Sequence, residues 1–444
     1  MFENNKVLIL GMARSGYEAA KFLAKRGNTV VLNDIKMDHD QVKVDELKNL
    51  GVELIFGEHP DDLLDSTFDY LIKNPGISID HKYVIKANEL GIEVINEAEM
   101  AYRLLPDDVK LVAITGTNGK TTTTTLIYEM LKKAGFRAHL TGNIGYPLCS
   151  FLDKLESNDI IVMETSCQQL VNLTKFNPDI AVMTNLSEAH IDFLKSYDNY
   201  KKVKAKIFQN HTKDNIAILN IENDDVLEVT KNIKSTVKYF SSKKEINGCY
   251  IKNDAIYYYD EMIVALSDIK LIGNHNYENI MASIMVVKEL GVDNGAIISL
   301  LKEFNGVEHR IEFVRELDGR RFYNDSKATN IKATQIALSA FDNPVILLLG
   351  GMERGQNFDD LKNYVSHVKI IVTYGECKKR IEEFANNMMI EVKVVDSLEN
   401  ATRLANELSS KGDTILLSPA AASWDQYKCF EDRGTEFKEI VNSL

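Results

Sequence analysis

An apolar run, Leu111-Val112-Ala113-Ile114, passes without a break into Thr115-Gly116-Thr117-Asn118-Gly119-Lys120-Thr121, and more threonines then open a helix-forming stretch. A strand that empties into a glycine-rich turn and a helix belongs at the C-terminal edge of a parallel sheet, where backbone amides and a helix N-terminus share one crevice. Such a turn holds phosphates: Lys120 would neutralise β- and γ-phosphate charge, and the Thr121 hydroxyl would bind Mg²⁺. The loop is two residues shorter than G-x-x-x-x-G-K-[ST], because position 114 is Ile, so a pattern search misses it. A threonine-rich helix cap would explain the threonines, but not Gly119-Lys120-Thr121 at the mouth of a buried strand.

The rest of the chain fits the same architecture. Short aliphatic runs alternate with segments of helical period, which is the pattern of βα units winding a mostly parallel sheet. The runs predict strands at Val7 to Leu10, Thr29 to Leu32, Tyr70 to Ile72, Leu111 to Ile114, Ile160 to Met163, Ile180 to Met183, Val345 to Leu349, Ile370 to Thr373 and Thr414 to Leu417. Breaks near Leu105-Pro106-Asp107-Asp108 and Asn305-Gly306 divide the chain into three α/β domains, 1–106, 107–305 and 306–444, each large enough for its own core. Between Val237 and Ile272 polar and apolar residues alternate, which predicts an antiparallel hairpin elaboration of the middle domain.

Composition narrows the function classes. The 444 residues carry a formal charge of −13, with no basic stripe to offset it, which argues against nucleic acid as a partner. The five cysteines are widely spaced and form no C-x-x-C pair, the usage of reduced thiols in a cytosolic protein. No apolar run approaches the roughly 20 residues that span a bilayer, and the N-terminus goes straight into Val7-Leu8-Ile9-Leu10 without a signal-peptide layout. A cytoplasmic, monomeric protein that neither enters a membrane nor binds nucleic acid is expected.

Further residues bear on chemistry. Gly11-Met12-Ala13-Arg14-Ser15-Gly16 fits the dinucleotide fingerprint with Ala in place of the middle glycine, and Asp34 stands where a ribose-binding carboxylate would. A tight βα turn in an unrelated domain would look the same. Glu164 follows the strand at Ile160 to Met163, on the edge where ligands bind, and is a candidate Mg²⁺ ligand or an exposed loop carboxylate. His190 follows the next strand, where a lone histidine is usually a structural hydrogen-bonder. In a helix predicted from Tyr197 to Asn210, Lys204 lies beside the inward stripe of Tyr200, Val203 and Ile207, while Lys201, Lys202 and Lys206 point away. An inward lysine has a lowered pKa. It either snorkels or, as the neutral amine, takes up CO₂ to become an anionic carbamate.

The phosphate loop, Gly142-Asn143-Ile144-Gly145, Glu164, His190 and Gly273-Asn274-His275-Asn276-Tyr277-Glu278-Asn279 together resemble the Mur ligase superfamily. Glu308-His309-Arg310, Asn324-Asp325-Ser326-Lys327-Ala328-Thr329-Asn330, Leu348-Leu349-Gly350-Gly351 and Ser418-Pro419-Ala420-Ala421-Ala422-Ser423-Trp424-Asp425-Gln426-Tyr427 are similar to its D-glutamate-adding branch. The resemblance is ordered and spans the chain. It implies a Rossmann-like UDP-binding domain, a central phosphate-loop ATPase-like domain and a C-terminal Rossmann-like domain that binds the incoming amino acid.

It also implies roles. Arg14 and Ser15 would meet the diphosphate of UDP-N-acetylmuramoyl-L-alanine, Asp34 and Lys36 its uridine side, Asn74 and Gly76 another edge of the nucleotide, and Asn143 and Ser166 the sugar-peptide path. ATP would lie on Gly116, Thr117, Asn118, Gly119, Lys120, Thr121 and Thr122, with Asn279, Arg310 and Asp325 completing its site. Two Mg²⁺ ions would be held by Thr121 and Glu164, and by His190 and carbamylated Lys204. D-Glutamate would be gripped by Thr329, Arg354, Ser423 and Phe430, with Lys327 near the reacting centre; some members carry Lys where this chain has Arg354. The implied reaction is peptidoglycan-precursor ligation: ATP converts the alanyl carboxylate to an acyl phosphate, which the D-glutamate amine attacks, with His190 as a candidate base.

Other readings explain less. An NAD-dependent dehydrogenase leaves Gly119-Lys120-Thr121 idle, and a nucleotide-binding switch uses only the middle domain and should carry N-K-x-D. A lysine- or diaminopimelate-adding relative should show D-N-P-R, whereas Asp342-Asn343-Pro344 runs into Val345.

Overall fold

The computed structural model describes residues 2–188, 191–271 and 273–444, the side chains of residues 191 and 192 excepted. The chain divides into two compact units, 1–269 with 274–302, and 270–273 with 303–444.

The first unit holds two sheets. In the N-terminal sheet β1 (Lys6–Leu10), β2 (Thr29–Asp34), β3 (Glu53–Phe56), β4 (Tyr70–Lys73) and β5 (Glu93–Ile95) are all parallel in the order β3-β2-β1-β4-β5. The central sheet comprises β6 (Lys110–Thr115), β7 (Ala138–Gly142), β8 (Ile160–Glu164), β9 (Ile180–Met183), β10 (Ile216–Asn220), β11 (Thr236–Ser241), β12 (Gly248–Lys252), β13 (Ala255–Tyr258) and β14 (Glu261–Ala265). Its order is β14-β13-β12-β11-β10-β9-β6-β8-β7.

The expected antiparallel elaboration is confined to β12, β13 and β14. Strand β11 instead pairs parallel with both β10 and β12, where the helix Asn274–Glu289 covers it.

In the second unit β15 (Glu312–Leu317), β16 (Arg320–Asn324), β17 (Val345–Gly350), β18 (Val368–Tyr374), β19 (Glu391–Val394) and β20 (Thr414–Leu417) lie in the order β15-β16-β20-β17-β18-β19. Only the β15–β16 pair among these is antiparallel. Every residue of β17 is buried, as befits a strand covered on both faces by helices.

In each sheet the winding direction reverses beside the first-laid or central strand: between β1 and β4, between β6 and β9, and between β17 and β20. Loops diverge at such reversals and leave a crevice at the C-terminal strand edge, where ligands of open α/β sheets bind.

The cores of the first unit's two sheets are not separate. One buried cluster runs from Val7, Ile9 and Leu32 through Met100 and Ala101 to Leu111, Met163 and Leu219. The short helix Glu97–Tyr102 forms the joint, buried along Glu97 to Ala101. Its Glu99 carboxylate accepts from the amides of Thr174 (3.1 Å), Lys175 (2.7 Å) and Phe176 (3.2 Å) and from Arg103 Nε (2.9 Å), so a fully buried charge is fully partnered. No helix among the described residues is long and apolar enough to cross a membrane.

Candidate active site

The phosphate loop leaves β6 and enters the helix Lys120–Lys133, whose N-cap is Gly119 in the left-handed region with no side-chain cap. The amides of that first turn have no intrahelical acceptor, so they are available to an anion. A side chain at Gly119 would collide with the Asn279 carboxamide, whose Oδ1 also accepts from Thr123 Oγ1 (3.3 Å). The loop is held from β9 across the sheet reversal: the Thr117 amide donates to Asn185 O (2.8 Å), the Asn118 amide to Asn185 Oδ1 (3.0 Å), and Thr184 Oγ1 to Asn118 O (2.6 Å). Lys120 Nζ folds back on Gly116 O (3.0 Å) and Thr117 O (2.8 Å), which keeps its charge at the loop. Thr121 and Thr122 are buried behind it.

Glu164 ends β8 and is buried. Its Oε1 accepts from Asn143 Nδ2 (2.8 Å), while Oε2 has no hydrogen-bond partner among the described residues. An orphaned carboxylate oxygen beside a phosphate loop is a strong demand for a cation, and hard oxygen suits Mg²⁺. Among the described residues no three His, Cys, Asp or Glu side chains converge as a ready metal site, so a cation at Glu164 would draw its other ligands from hydroxyls, water, nucleotide phosphates or a modified lysine.

Lys204 is that lysine's best candidate. It is buried on the helix Tyr197–Ala205, and Nζ donates to Thr115 Oγ1 (3.0 Å) and Gly116 O (2.9 Å) behind the phosphate loop. Burial first, and the Lys120 charge second, push its ammonium well below the ordinary lysine range. The inward reading therefore holds, although the helix is shorter than expected. Two of the lysines expected to point away do not: Lys201 is buried against Asp225 (3.2 Å) and Glu228 (2.8 Å), and Lys206 donates to Val171 O (2.5 Å). The helix Asp224–Thr230 covers that side, which single-helix periodicity cannot register. His190 lies outside the described residues.

The N-terminal crevice sits at the β1–β4 reversal. The helix Arg14–Lys25 also lacks a side-chain cap. Ser15 Oγ accepts from Asn74 Nδ2 (3.2 Å), Asn74 Oδ1 accepts from the Gly76 amide (3.2 Å), and exposed Arg14 donates from Nη1 to Gly145 O (2.7 Å) on the central sheet's side. Asp34 holds the glycine turn closed, taking the Met12 amide on Oδ2 (2.6 Å) and the Lys36 amide on Oδ1 (2.9 Å). Ser166 caps the helix Cys167–Leu170 in a reciprocal box with Gln169, one residue beyond Thr165.

In the second unit Asp325 is buried and takes Ser418 Oγ–H on Oδ2 (2.7 Å) and the Ile311 amide on Oδ1 (3.2 Å). Burial pushes its carboxyl up to about 7 against those bonds and the nearby Arg310 charge. Lys327 Nζ stands over the Phe430 ring, 5.6 Å from its centroid, and the Arg354 guanidinium lies 5.4 Å from the ring of exposed Trp424, next to buried Ser423. Thr329 is half-buried, its amide on Lys327 O (2.9 Å). Sequence reasoning missed Thr184, Asn185, Tyr200 and Arg433, and it placed Thr115 in the phosphate loop without its bond to Lys204. Asn after a strand at a sheet reversal was the signal for Asn185; Tyr200 was read as core, yet its hydroxyl lies 3.0 Å from Thr117 Oγ1.

Three family profiles match in chain order: a Mur ligase MurD-like N-terminal domain over 5–96, a Mur ligase middle domain over 114–287, and a Mur ligase glutamate ligase domain over 309–421. A Geobacillus protein (strain WCH70) named UDP-N-acetylmuramoylalanine--D-glutamate ligase is 44% identical over 446 residues, covering 100% of this chain and 98% of its own. The Enterococcus hirae protein of the same name is 44% identical over 447 residues, covering 100% and 97%. The fold is similar to the UDP-N-acetylmuramate-alanine ligase of Thermotoga maritima (TM-score 0.61, 19% identity, 99% of each chain). It is also similar to the MurF ligase of that organism, solved with ADP (TM-score 0.59, 17% identity, 94% and 95%).

Proposed function

This chain belongs to the Mur ligase family, and on that premise we propose that it joins D-glutamate to UDP-N-acetylmuramoyl-L-alanine with hydrolysis of ATP, in peptidoglycan-precursor synthesis. The observation that carries the reading is one cluster: the uncapped helix behind Lys120, the unpartnered oxygen of Glu164 and the desolvated amine of Lys204, gathered at one strand edge.

The substrate's alanyl carboxylate attacks the γ-phosphorus of ATP, ADP leaves, and an acyl phosphate forms. The D-glutamate amine then attacks the acyl carbon, the C–O bond to phosphate breaks and phosphate departs, and the nitrogen gives up one proton, for which His190 is the candidate base. Lys120 and the first-turn amides of its helix hold the charge spread over the transferring phosphoryl oxygens. Asn185 and Thr184 keep that loop in shape, so the amides need not reorganise as charge develops. Thr121, Glu164, carbamylated Lys204 and His190 are the residues that would hold two Mg²⁺ ions, which would add Lewis-acid stabilisation of those oxygens.

We assign Arg14, Ser15, Asp34, Lys36, Asn74, Gly76, Asn143 and Ser166 to the UDP substrate. Gly116 to Thr122 and Asn279 in the first unit, and Arg310 and Asp325 in the second, are assigned to ATP. Thr329, Arg354, Ser423 and Phe430 are assigned to D-glutamate, with Lys327 beside the reacting carbon. The domains are taken as 1–106, 107–305 and 306–444, and the working form as a cytoplasmic monomer.

The test is phosphate release from ATP with UDP-N-acetylmuramoyl-L-alanine and, separately, D-glutamate, L-glutamate or L-lysine. Release is expected with D-glutamate. Release with L-lysine alone overturns the reading.

A further inference from the structure

Arg433, in the first turn of the helix Phe430–Ser443, is completely buried, yet among the described residues no carboxylate pairs with it. Its guanidinium is instead spent on backbone and hydroxyl oxygens. Nε donates to Ser326 Oγ (3.0 Å), Nη2 to Ser326 O (2.8 Å) and Nη1 to Ala421 O (3.1 Å). Ser326 Oγ–H in turn donates to Phe430 O (2.8 Å). Burying an unpaired guanidinium is costly, and a core of this size has apolar ways to fill the space. The fork therefore has a geometric use: a planar donor set fixes segments that share no secondary structure.

Those segments adjoin residues assigned above to the amino acid and, at Asp325, to ATP. Ser326 sits between Asp325 and Lys327, Ala421 lies two residues before Ser423, and Phe430 opens the helix that carries Arg433. Gly351 closes the set, since its Met352 neighbour donates to Ala422 O (2.8 Å) and a side chain at 351 would press on Arg433 Nη1 at 3.1 Å. The stretches at Ser326, Gly351 and Ala421 thus meet on one side chain at the β17–β20 reversal, and Ser326 ties in Phe430. The charge itself also reaches Asp325 and Asp425, whose carboxyls it lowers against burial.

We propose that Arg433 is the positioning residue of the D-glutamate site: it clamps the Asp325–Lys327, Ala421–Ser423 and Phe430 segments in register and adds buried positive charge behind a site for a dicarboxylate, without touching the substrate. This rests on the D-glutamate reading of the second unit.

Arg433→Met and Arg433→Lys are assayed against wild type by steady-state kinetics with each substrate varied in turn, with thermal midpoint and near-ultraviolet circular dichroism as folding controls. Arg433→Met is expected to raise KM for D-glutamate at least tenfold and Arg433→Lys about threefold, while KM for ATP, through Asp325, rises severalfold less and KM for the UDP substrate stays within twofold. If Arg433→Met does not fold, Ser326→Ala, which removes the Nε acceptor together with the hydroxyl's bond to Phe430 O, is expected to raise KM for D-glutamate severalfold alone. Equal rises in all three KM values, or a fall in kcat with D-glutamate KM unchanged, overturn the proposal. A wild-type enzyme that does not turn over D-glutamate overturns the functional reading and this assignment with it; wild-type turnover with unmoved KM overturns this assignment alone.

Discussion

Two lysines of the first unit are buried behind ligand-side loops, and they differ in the groups that surround them. Lys73, at the end of β4, donates to Ile77 O (2.7 Å) and Asn74 O (3.4 Å) and so pins the Asn74-Pro75-Gly76 turn. Burial alone lowers it, to about 8. Lys204 is lowered by burial too, but with Lys120 adding to the effect and Glu164 opposing it. A depressed lysine is therefore no mark of chemistry by itself. The neighbours decide: around Lys73 there are backbone carbonyls, a buckle, whereas around Lys204 a second cation, a carboxylate oxygen without a hydrogen-bond partner among the described residues and the phosphate loop converge, which is why we propose the reaction centre there.

The sharpest way to break this contrast is at the charged groups around Lys204. Lys120→Ala removes the cation at the phosphoryl group, and phosphate release should fall about 10³-fold or more with the fold retained. Lys204→Ala should cost about 10²- to 10³-fold and be partly restored by acetate or formate supplying the missing oxygen; full activity without rescue removes the carbamate from the account. Glu164→Gln should raise the Mg²⁺ concentration needed for half-maximal rate by about 10- to 100-fold, read from a metal titration of turnover.

Lys73→Met should act more mildly, raising KM for the UDP substrate a few-fold with kcat nearly unchanged. It also carries a pH signature. Because the folded-state pKa lies below that of the unfolded chain, the unfolded chain binds more protons between about pH 8 and the ordinary lysine range, and wild-type stability gains with rising pH there. That gain is fully present above the unfolded pKa and is lost as pH falls through about 8. Urea unfolding at both ends of the window should show wild-type stability rising with pH by about 3 kcal/mol, a rise that Lys73→Met lacks. A difference independent of pH would return Lys73 to ordinary packing.

Local pattern revealed the interior of the sheets better than their margins. The predicted strands β1, β2, β4, β6, β8, β9, β17, β18 and β20 are all present, because strands covered on both faces read as unbroken aliphatic runs. Strands β3, β5, β7 and β19 were missed; they lie at or near sheet edges and are only half-buried, so their residues carry little apolar signal. Ile216 to Asn220 was also missed, although it is largely buried, for its Ile-Ala-Ile-Leu run is as short as a turn of helix.

The sequence by itself determined which chemistry-bearing residues exist and which local element carries each: a glycine turn before a helix, a carboxylate at a strand end, a lysine on a helical stripe. These follow from periodicity and turn chemistry, which act over a few residues. The tertiary structure alone decided which of them meet. Lys204 reaches Thr115 from 89 positions away, Asn185 braces a loop 67 positions upstream, and Arg433 ties itself to Ser326 across 107. Such bonds form only once sheet order has brought distant loops to one edge and packing has removed the water that would otherwise solvate the charge. Residues like Lys73, Lys201 and Arg433 thus disclose their roles only through what surrounds them.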